Sequence, residues 1–297
     1  MDYQVFDTHC DTLCAVLDYN KSIAKNDCHV DFERMAKYRH YTQVFACFIN
    51  PIYHSCAAER TMALIDTFHR ITPDLPQNVH AILSIEGGEG IYSLAQLRNY
   101  HRLGVRIIAP TWNYSNHIAS GALEKDENRG LTEFGKKVIA QMNKLGILVD
   151  VSHLNDKSFY DIAECTDKPI IASHSNSRAV CRSKAVCPVE RNLTDDQFMH
   201  IKKSGGCVGI NFCPDFLNES GRANIDDIIR HIEHFMSLGG EDNIGIGADF
   251  DGVDSLPDGI NGAQDVYKIF DRLLRIGYTE NQIEKISHKN FERILNT

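Results

Sequence analysis

Val5-Phe6-Asp7-Thr8-His9-Cys10-Asp11 is the stretch of this 297-residue chain whose reading decides the fold. A short apolar run ends there in two metal-binding side chains, His9 and Asp11, spaced i, i+2. Alternation along a strand puts both on one face. Barrels of parallel strands and helices build their sites at the carboxyl ends of the strands, so a His-x-Asp leaving the first strand predicts a metal seat. Alone, the pattern also fits a solvated turn, and its weight depends on whether the rest of the chain supplies matching ligands.

Working outward, short runs rich in Val, Ile and Phe recur with amphipathic segments between them, the pattern of a parallel sheet with helices outside. The candidate strands are 4–8, 43–49, 79–85, 105–109, 147–151, 169–172, 206–211 and 243–248. Segments 58–70, 92–102, 132–144, 156–165, 194–204, 224–237 and 263–275 carry apolar residues at i, i+3, i+4 spacing and read as helices. Leu145-Gly146 and Leu238-Gly239-Gly240 supply helix stops. Eight strands alternating with helices, without a linker or a composition break, predict an α/β fold: one (β/α)8 TIM-like barrel, a single domain over 1–297. Residues 279–297 read as two short helices closing the barrel, with Asn290 to Leu295 burying an apolar stripe.

The composition narrows the function. A hydrophobic fraction of 43% supports a large core, and a net charge of -9 argues against a nucleic-acid groove or a polybasic membrane patch. Small molecules and metals are the expected partners. Met1-Asp2-Tyr3-Gln4 runs straight into the first strand, so no secretory leader is expected, and no apolar stretch is long enough to span a bilayer. Ten cysteines (Cys10, Cys14, Cys28, Cys47, Cys56, Cys165, Cys181, Cys187, Cys207 and Cys213) show no Cys-x-x-Cys pair and no compact disulfide framework. They read as reduced thiols of a cytoplasmic protein.

The other candidate ligands also fall where strands end. Glu86 ends Ala81 to Glu86 and precedes Gly87-Gly88; His153 follows Ile147 to Ser152; His174 follows Ile170 to Ser173; Asp249 ends Ile244 to Asp249. Imidazole suits zinc, and carboxylates extend that chemistry to two ions joined by an oxygen ligand. His9, Asp11, His153 and His174 suffice for two zinc ions if a carboxylate bridges, and Glu86, between the early and late ligands, is the bridging candidate. Glu89, past two glycines, reads instead as a carboxylate at a helix start.

These residues resemble the membrane (renal) dipeptidases, the M19 zinc peptidases, and especially their bacterial cytosolic members. The resemblance runs from His9 to about Leu295 and rests on Asp7-Thr8-His9-Cys10-Asp11, Ile85-Glu86-Gly87-Gly88, Asp150-Val151-Ser152-His153, Ser173-His174-Ser175, Glu190-Arg191-Asn192 and Gly247-Ala248-Asp249-Phe250-Asp251-Gly252. It implies two zinc ions, one on His9 and Asp11, the other on His153 and His174, with Glu86 and a water or hydroxide between them. It implies Asp249 as the proton-shuttling acid and Arg191 as the group holding the substrate carboxylate. The expected activity is hydrolysis of unblocked dipeptides, including those with a C-terminal D-residue, by a metal-bridging hydroxide, and a homodimer is the family's usual assembly.

From the residues alone, Arg178 and Arg182 compete with Arg191 for the clamp. A carboxylate held at a fixed distance from the metals is what would measure a dipeptide. Asp7 shares the parity of His9 and reads either as a ligand-orienting group or as packing; Asp251, before Gly252, reads as a turn residue. One departure stands out: where mammalian members carry a histidine that binds and polarises substrate, this chain reads Pro110-Thr111-Trp112-Asn113-Tyr114. The expectation is that the Trp112 indole N–H, or Asn113, supplies that hydrogen bond. The alternatives are another binuclear amidohydrolase-like enzyme acting on cyclic amides or lactones, and a non-catalytic metal-binding barrel. The first commonly bridges its metals with a carboxylated lysine, and no lysine ends the third or fourth strand here.

Overall fold

The computed structural model describes residues 1–181 and 191–295. Its eight strands are β1 (Gln4–Cys10), β2 (His40–Phe48), β3 (Val79–Glu86), β4 (Val105–Ala109), β5 (Leu148–Asp150), β6 (Ile170–Ala172), β7 (Cys207–Ile210) and β8 (Ile244–Ile246), all eight at the expected places. They pair in parallel and in sequence order, and β1 meets β8 to close the barrel. β2 begins three residues earlier than its apolar run suggests, because Tyr41 and Thr42 continue the ladder opposite Val79 and His80. The seam between first and last strands is tied by a buried carboxyl: Asp7 Oδ1 accepts from the Ala248 backbone N–H at 2.9 Å.

The seven expected helices form as Ala57–Ile71, Leu94–Arg102, Glu133–Leu145, Asp156–Cys165, Asp195–Lys203, Ile225–Ser237 and Tyr267–Arg275. Side-chain oxygens of Thr132, Asn155, Thr194 and Asn224 accept from first-turn N–H groups, the local reason these helices start where they do. Gly146 takes φ 71° as it ends one of them, the left-handed stop that its position predicts. The helix Thr12–Tyr19 was not expected. Asp11 stands at its N-cap but makes no capping bond, so the usual start signal is missing.

Two apolar layers hold the molecule together. The larger lies between strands and helices; the smaller fills the amino-terminal end of the barrel with Phe6, Val44, Ile107, Ile171, Cys207, Phe291 and Ile294. Phe291 and Ile294 come from the last helix, Asn290–Leu295, and Phe291 stacks on Phe6 with ring centroids 5.8 Å apart. Asn290 fastens that helix by donating to the carbonyls of Glu241 and Ile244. Residues 280–295 form one run, Glu280–Glu284, a π turn over Lys285–Lys289 and Asn290–Leu295. Cys10, Cys14, Cys28, Cys47, Cys56, Cys165, Cys207 and Cys213 form no disulfide among the described residues, and Cys187 lies outside them. No described helix is long and apolar enough to cross a membrane.

Candidate active site

At the carboxyl end of the barrel the strands deliver His9, Asp11, Glu86, His153, His174 and Asp249 to one place, each no more than 7% exposed. His9 lies in β1 and Glu86 is the last residue of β3. His153 and Asp249 sit in the loops after β5 and β8 with φ of 67° and 60°. Left-handed backbone at a residue with a Cβ costs roughly 1–2 kcal/mol, and such strain collects where the surroundings impose a functional geometry.

Glu86 is the hub. Its Oε1 lies 2.8 Å from His153 Nε2 and 3.3 Å from His174 Nε2, and its Oε2 lies 3.3 Å from His9 Nε2. His9 Nε2 is also 3.5 Å from Asp11 Oδ2 and 3.8 Å from Asp249 Oδ1. The ligand atoms of His9, Asp11 and Glu86 lie within 4.8 Å of one another, as do those of Glu86, His153 and His174, and those of His9, His174 and Asp249.

Protein atoms alone leave this cluster unbalanced. Burial pushes Glu86 up, but the imidazoles of His9 and His153 outweigh it and hold the carboxyl well below its usual range. Burial raises Asp249 to about 7; for Asp11, burial and then the Glu86 charge raise it to about 6. Burial and then the Arg191 cation press His153 down to about 4, and burial with His9 and Arg191 keeps His174 well below its ordinary value. The His153 and His174 Nε2 atoms stand 2.8 Å apart, while His9 Nε2 and Asp11 Oδ1 are buried without a hydrogen-bond partner. Buried polar atoms without partners cost about 1–3 kcal/mol each. Imidazole nitrogens and carboxylate oxygens converging this closely form an N/O donor set that fits divalent cations, with Glu86 common to two of the triads.

A second layer of polar groups aims these side chains, and most of it was not foreseen from the sequence. Asn113 Oδ1 lies 2.7 Å from His153 Nδ1, and Ser173 Oγ lies 2.7 Å from His174 Nδ1 while bonding to Asp150 Oδ2. Asn211 Nδ2 donates to Asp249 Oδ2 at 2.9 Å. Asn211 and Asp150 stand at strand ends, the same positional signal that pointed to the ligands. Asp7, raised by burial to about 6, accepts from the backbone N–H groups of His9 and Ala248, so it fixes main chain beside two site residues. Asp251 accepts from Thr12 Oγ1 and from the His29 N–H at φ 66°, the turn role expected of it. A Cβ at Gly252 would lie 2.2 Å from Asp11 Oδ2 and 2.5 Å from Asp249 Oδ1, so only glycine lets this turn pass between the two carboxylates.

A cavity of about 740 Å³ opens over the cluster, with Asp11, Glu86, Trp112, Asn113, His153 and Asp249 in its wall. The Trp112 ring packs against Phe48 and Tyr114, with centroids 5.4 and 5.6 Å away. Arg191 stands behind the ligands rather than in that wall, only 3% exposed. Its guanidinium donates to Ser175 Oγ and the His174 carbonyl, reaches 3.2 Å from His153 Nε2 and lies over the Phe216 ring. No carboxylate among the described residues forms an ion pair with it, and its Nε has no partner. Of its competitors, Arg178 is engaged bidentately by Asp156, while Arg182, like Glu190, lies outside the described residues. Glu89 lies in the first turn of a short 3-10 helix, Gly88–Gly90, as expected of a carboxylate at a helix start, but its carboxyl is buried, with one oxygen unpartnered.

The model of the membrane dipeptidase family, peptidase family M19, matches residues 1–297. An uncharacterized dipeptidase of Schizosaccharomyces pombe is 33% identical over 90% of this chain and 71% of its own length. Two solved structures cover the whole chain. The dipeptidase AC, a metallopeptidase of family M19, superposes with a TM-score of 0.87 at 28% identity, over 98% of its own chain. A metallopeptidase from Rhodobacter sphaeroides, liganded with a phosphinate mimic of the dipeptide L-Ala-D-Ala, superposes at 0.83 with 27% identity, over 99% of its own chain.

Proposed function

Since the chain belongs to the membrane dipeptidase family, peptidase family M19, and is thereby a metallo-dipeptidase, we propose that it hydrolyses unblocked dipeptides, including those with a C-terminal D-residue, with two zinc ions. The observation that carries this reading is Glu86 between His9 on one side and His153 and His174 on the other, with His9 Nε2 and Asp11 Oδ1 lacking partners and the His153 and His174 Nε2 atoms facing each other at 2.8 Å. His9 and Asp11 would hold one cation, His153 and His174 the second, and Glu86 both. The bound pair would supply a Lewis acid for the amide carbonyl and a water that ionises near neutral pH as hydroxide.

The chain's own groups do the rest. Asp249 takes the proton of the attacking water and returns it to the departing amine. A buried carboxyl beside the cluster, held at one oxygen by a single amide donor, is placed to accept that proton and give it back. Asn211 holds one of its oxygens and leaves the other toward His9. Arg191 is a buried cation with no ion-paired carboxylate among the described residues, and the substrate α-carboxylate is the anion that completes it. Acceptance of a D-residue is supported by the R. sphaeroides structure, whose ligand mimics L-Ala-D-Ala. Unpaired cysteines suit a reducing cytoplasm, and the barrel reads as one domain.

The test is release of free amino acids from L,L and L,D dipeptides by the zinc-loaded protein, beside N-acetylated and C-amidated forms of the same peptides. Cleavage restricted to the unblocked forms is expected. Equal cleavage of the C-amides would remove the carboxylate clamp, and no cleavage with zinc bound would overturn the reading.

A further inference from the structure

Between Trp112 and Tyr114, Asn113 has one end of its amide committed and the other end unpaired. Its Oδ1 stands 2.7 Å from His153 Nδ1. For His153 Nε2, 2.8 Å from Glu86 Oε1, to present a lone pair to a cation, the ring proton must sit on Nδ1. Asn113 must then offer its oxygen as acceptor, which settles the orientation of the amide. Its NH2 group is left with two donors. No described group accepts from it, and it is not among the buried unpartnered atoms, so on this cavity-lining residue it is open to solvent.

The placement is rigid. Leu123 N–H donates to the Asn113 carbonyl at 2.9 Å, and Ala122 N–H donates to the His153 carbonyl at 2.7 Å. Gly121 bridges to Leu154, which locks the loop carrying Asn113 to the loop carrying His153. A donor fixed on the cavity wall beside a metal ligand is what stabilises charge developing on a substrate oxygen, because it needs no reorganisation when the charge appears. Trp112, by contrast, packs its ring between Phe48 and Tyr114.

We propose that Asn113 works with both ends of its amide: the oxygen orients His153 as a positioning group, and the NH2 donates to the carbonyl oxygen of the scissile peptide bond as a catalytic group. The inference rests on the dipeptidase reading of this site, and it chooses Asn113 over the Trp112 indole as the hydrogen-bond donor. It also makes metal affinity and turnover separable at one residue.

Asn113→Asp keeps an acceptor for His153 and removes the donors; Asn113→Ala removes both. Zinc affinity is read by chelator competition on the metal-free proteins, and kcat and KM on a dipeptide the wild type cleaves. The expected result for N113D is zinc affinity equal to or tighter than wild type, with kcat reduced roughly 100-fold and KM changed only several-fold. For N113A, zinc affinity falls by about 10–100-fold as well, the usual effect of losing the partner of a ligating histidine. N113D with wild-type kcat overturns the donor role; N113A with wild-type zinc affinity overturns the positioning role. A wild type that cleaves no dipeptide defeats the functional reading itself, and the affinity comparison still decides the positioning role.

Discussion

The two ends of this barrel are built from the same eight strands and obey opposite rules. At the amino-terminal end, Phe6, Val44, Ile107, Ile171, Cys207, Phe291 and Ile294 bury one another without a polar atom to satisfy. At the carboxyl end, six titratable side chains are buried together, two of them carry left-handed backbone, and His9 and Asp11 each hide an atom without a partner. Packing at the first end lowers the free energy of the folded chain by itself. The second end is unfavourable until something else enters it, which is the mark of a site rather than of a core. Asp11 illustrates the exchange: at the start of the helix Thr12–Tyr19 it could cap, and its carboxylate faces the ligand cluster instead.

The largest effect that would break this contrast is expected at its hub. Glu86→Gln keeps the shape and removes the charge shared by three histidines. It should lower kcat/KM by on the order of 1,000-fold or more and weaken zinc binding at both positions, since the metals supply most of the chemistry. Kinetics with metal analysis of the purified variant checks this. Near-normal turnover with full zinc occupancy would mean that Glu86 is structural.

The converse substitution lies at the other end. Phe291, 1% exposed and stacked on Phe6, should cost about 3–5 kcal/mol of stability when cut to alanine, while the folded fraction keeps its kcat. Urea unfolding paired with turnover per folded molecule tests both halves. A large loss of kcat would show that the floor is coupled to the mouth and that the division between them is false.

How far each end could be read beforehand follows from the same difference. Strands and the residues of the rim cluster were legible because both depend on local pattern: apolar runs give the ladder, and a His or a carboxylate at the end of a run gives the rim. The supporting groups depend on contacts between distant loops. Asn113 meets His153 across 40 residues and Asn211 meets Asp249 across 38, and a position after a strand does not by itself say which distant residue it will meet. Arg191 was identified as a residue but not as a buried one, because its depth is set by Ser175, His174 and Phe216 closing round it. The helix Thr12–Tyr19 was hidden by the uncapping of Asp11. Function had overridden the local signal in that case, and local signals are all that a single sequence displays.

The smallest expected effect sharpens the comparison by separating two kinds of buried histidine. His231, fully buried on the helix Ile225–Ser237, has both ring nitrogens satisfied: Nδ1 accepts from the Ser177 N–H at 3.0 Å, so Nε2 carries the proton toward the Leu217 carbonyl at 3.1 Å. Burial lowers its pKa from 6.5 to about 4. Between those values the unfolded chain binds the proton and the folded one does not. The contribution is therefore complete above pH 6.5 and is lost as pH falls toward 4, about 3 kcal/mol over the window. His231→Gln abolishes that titration, so the stability gap between wild type and variant, measured by urea unfolding in chelator, should shrink steadily from pH 7 to pH 4.5. A gap that stays constant would mean that His231 is protonated as readily folded as unfolded, and that its two hydrogen bonds do not hold it neutral. A shrinking gap assigns this imidazole to the fold. The histidines on Glu86 differ from it in facing a carboxylate and one another rather than satisfied backbone groups, and that difference in partners, not depth of burial, is what sets the two kinds of histidine apart in this barrel.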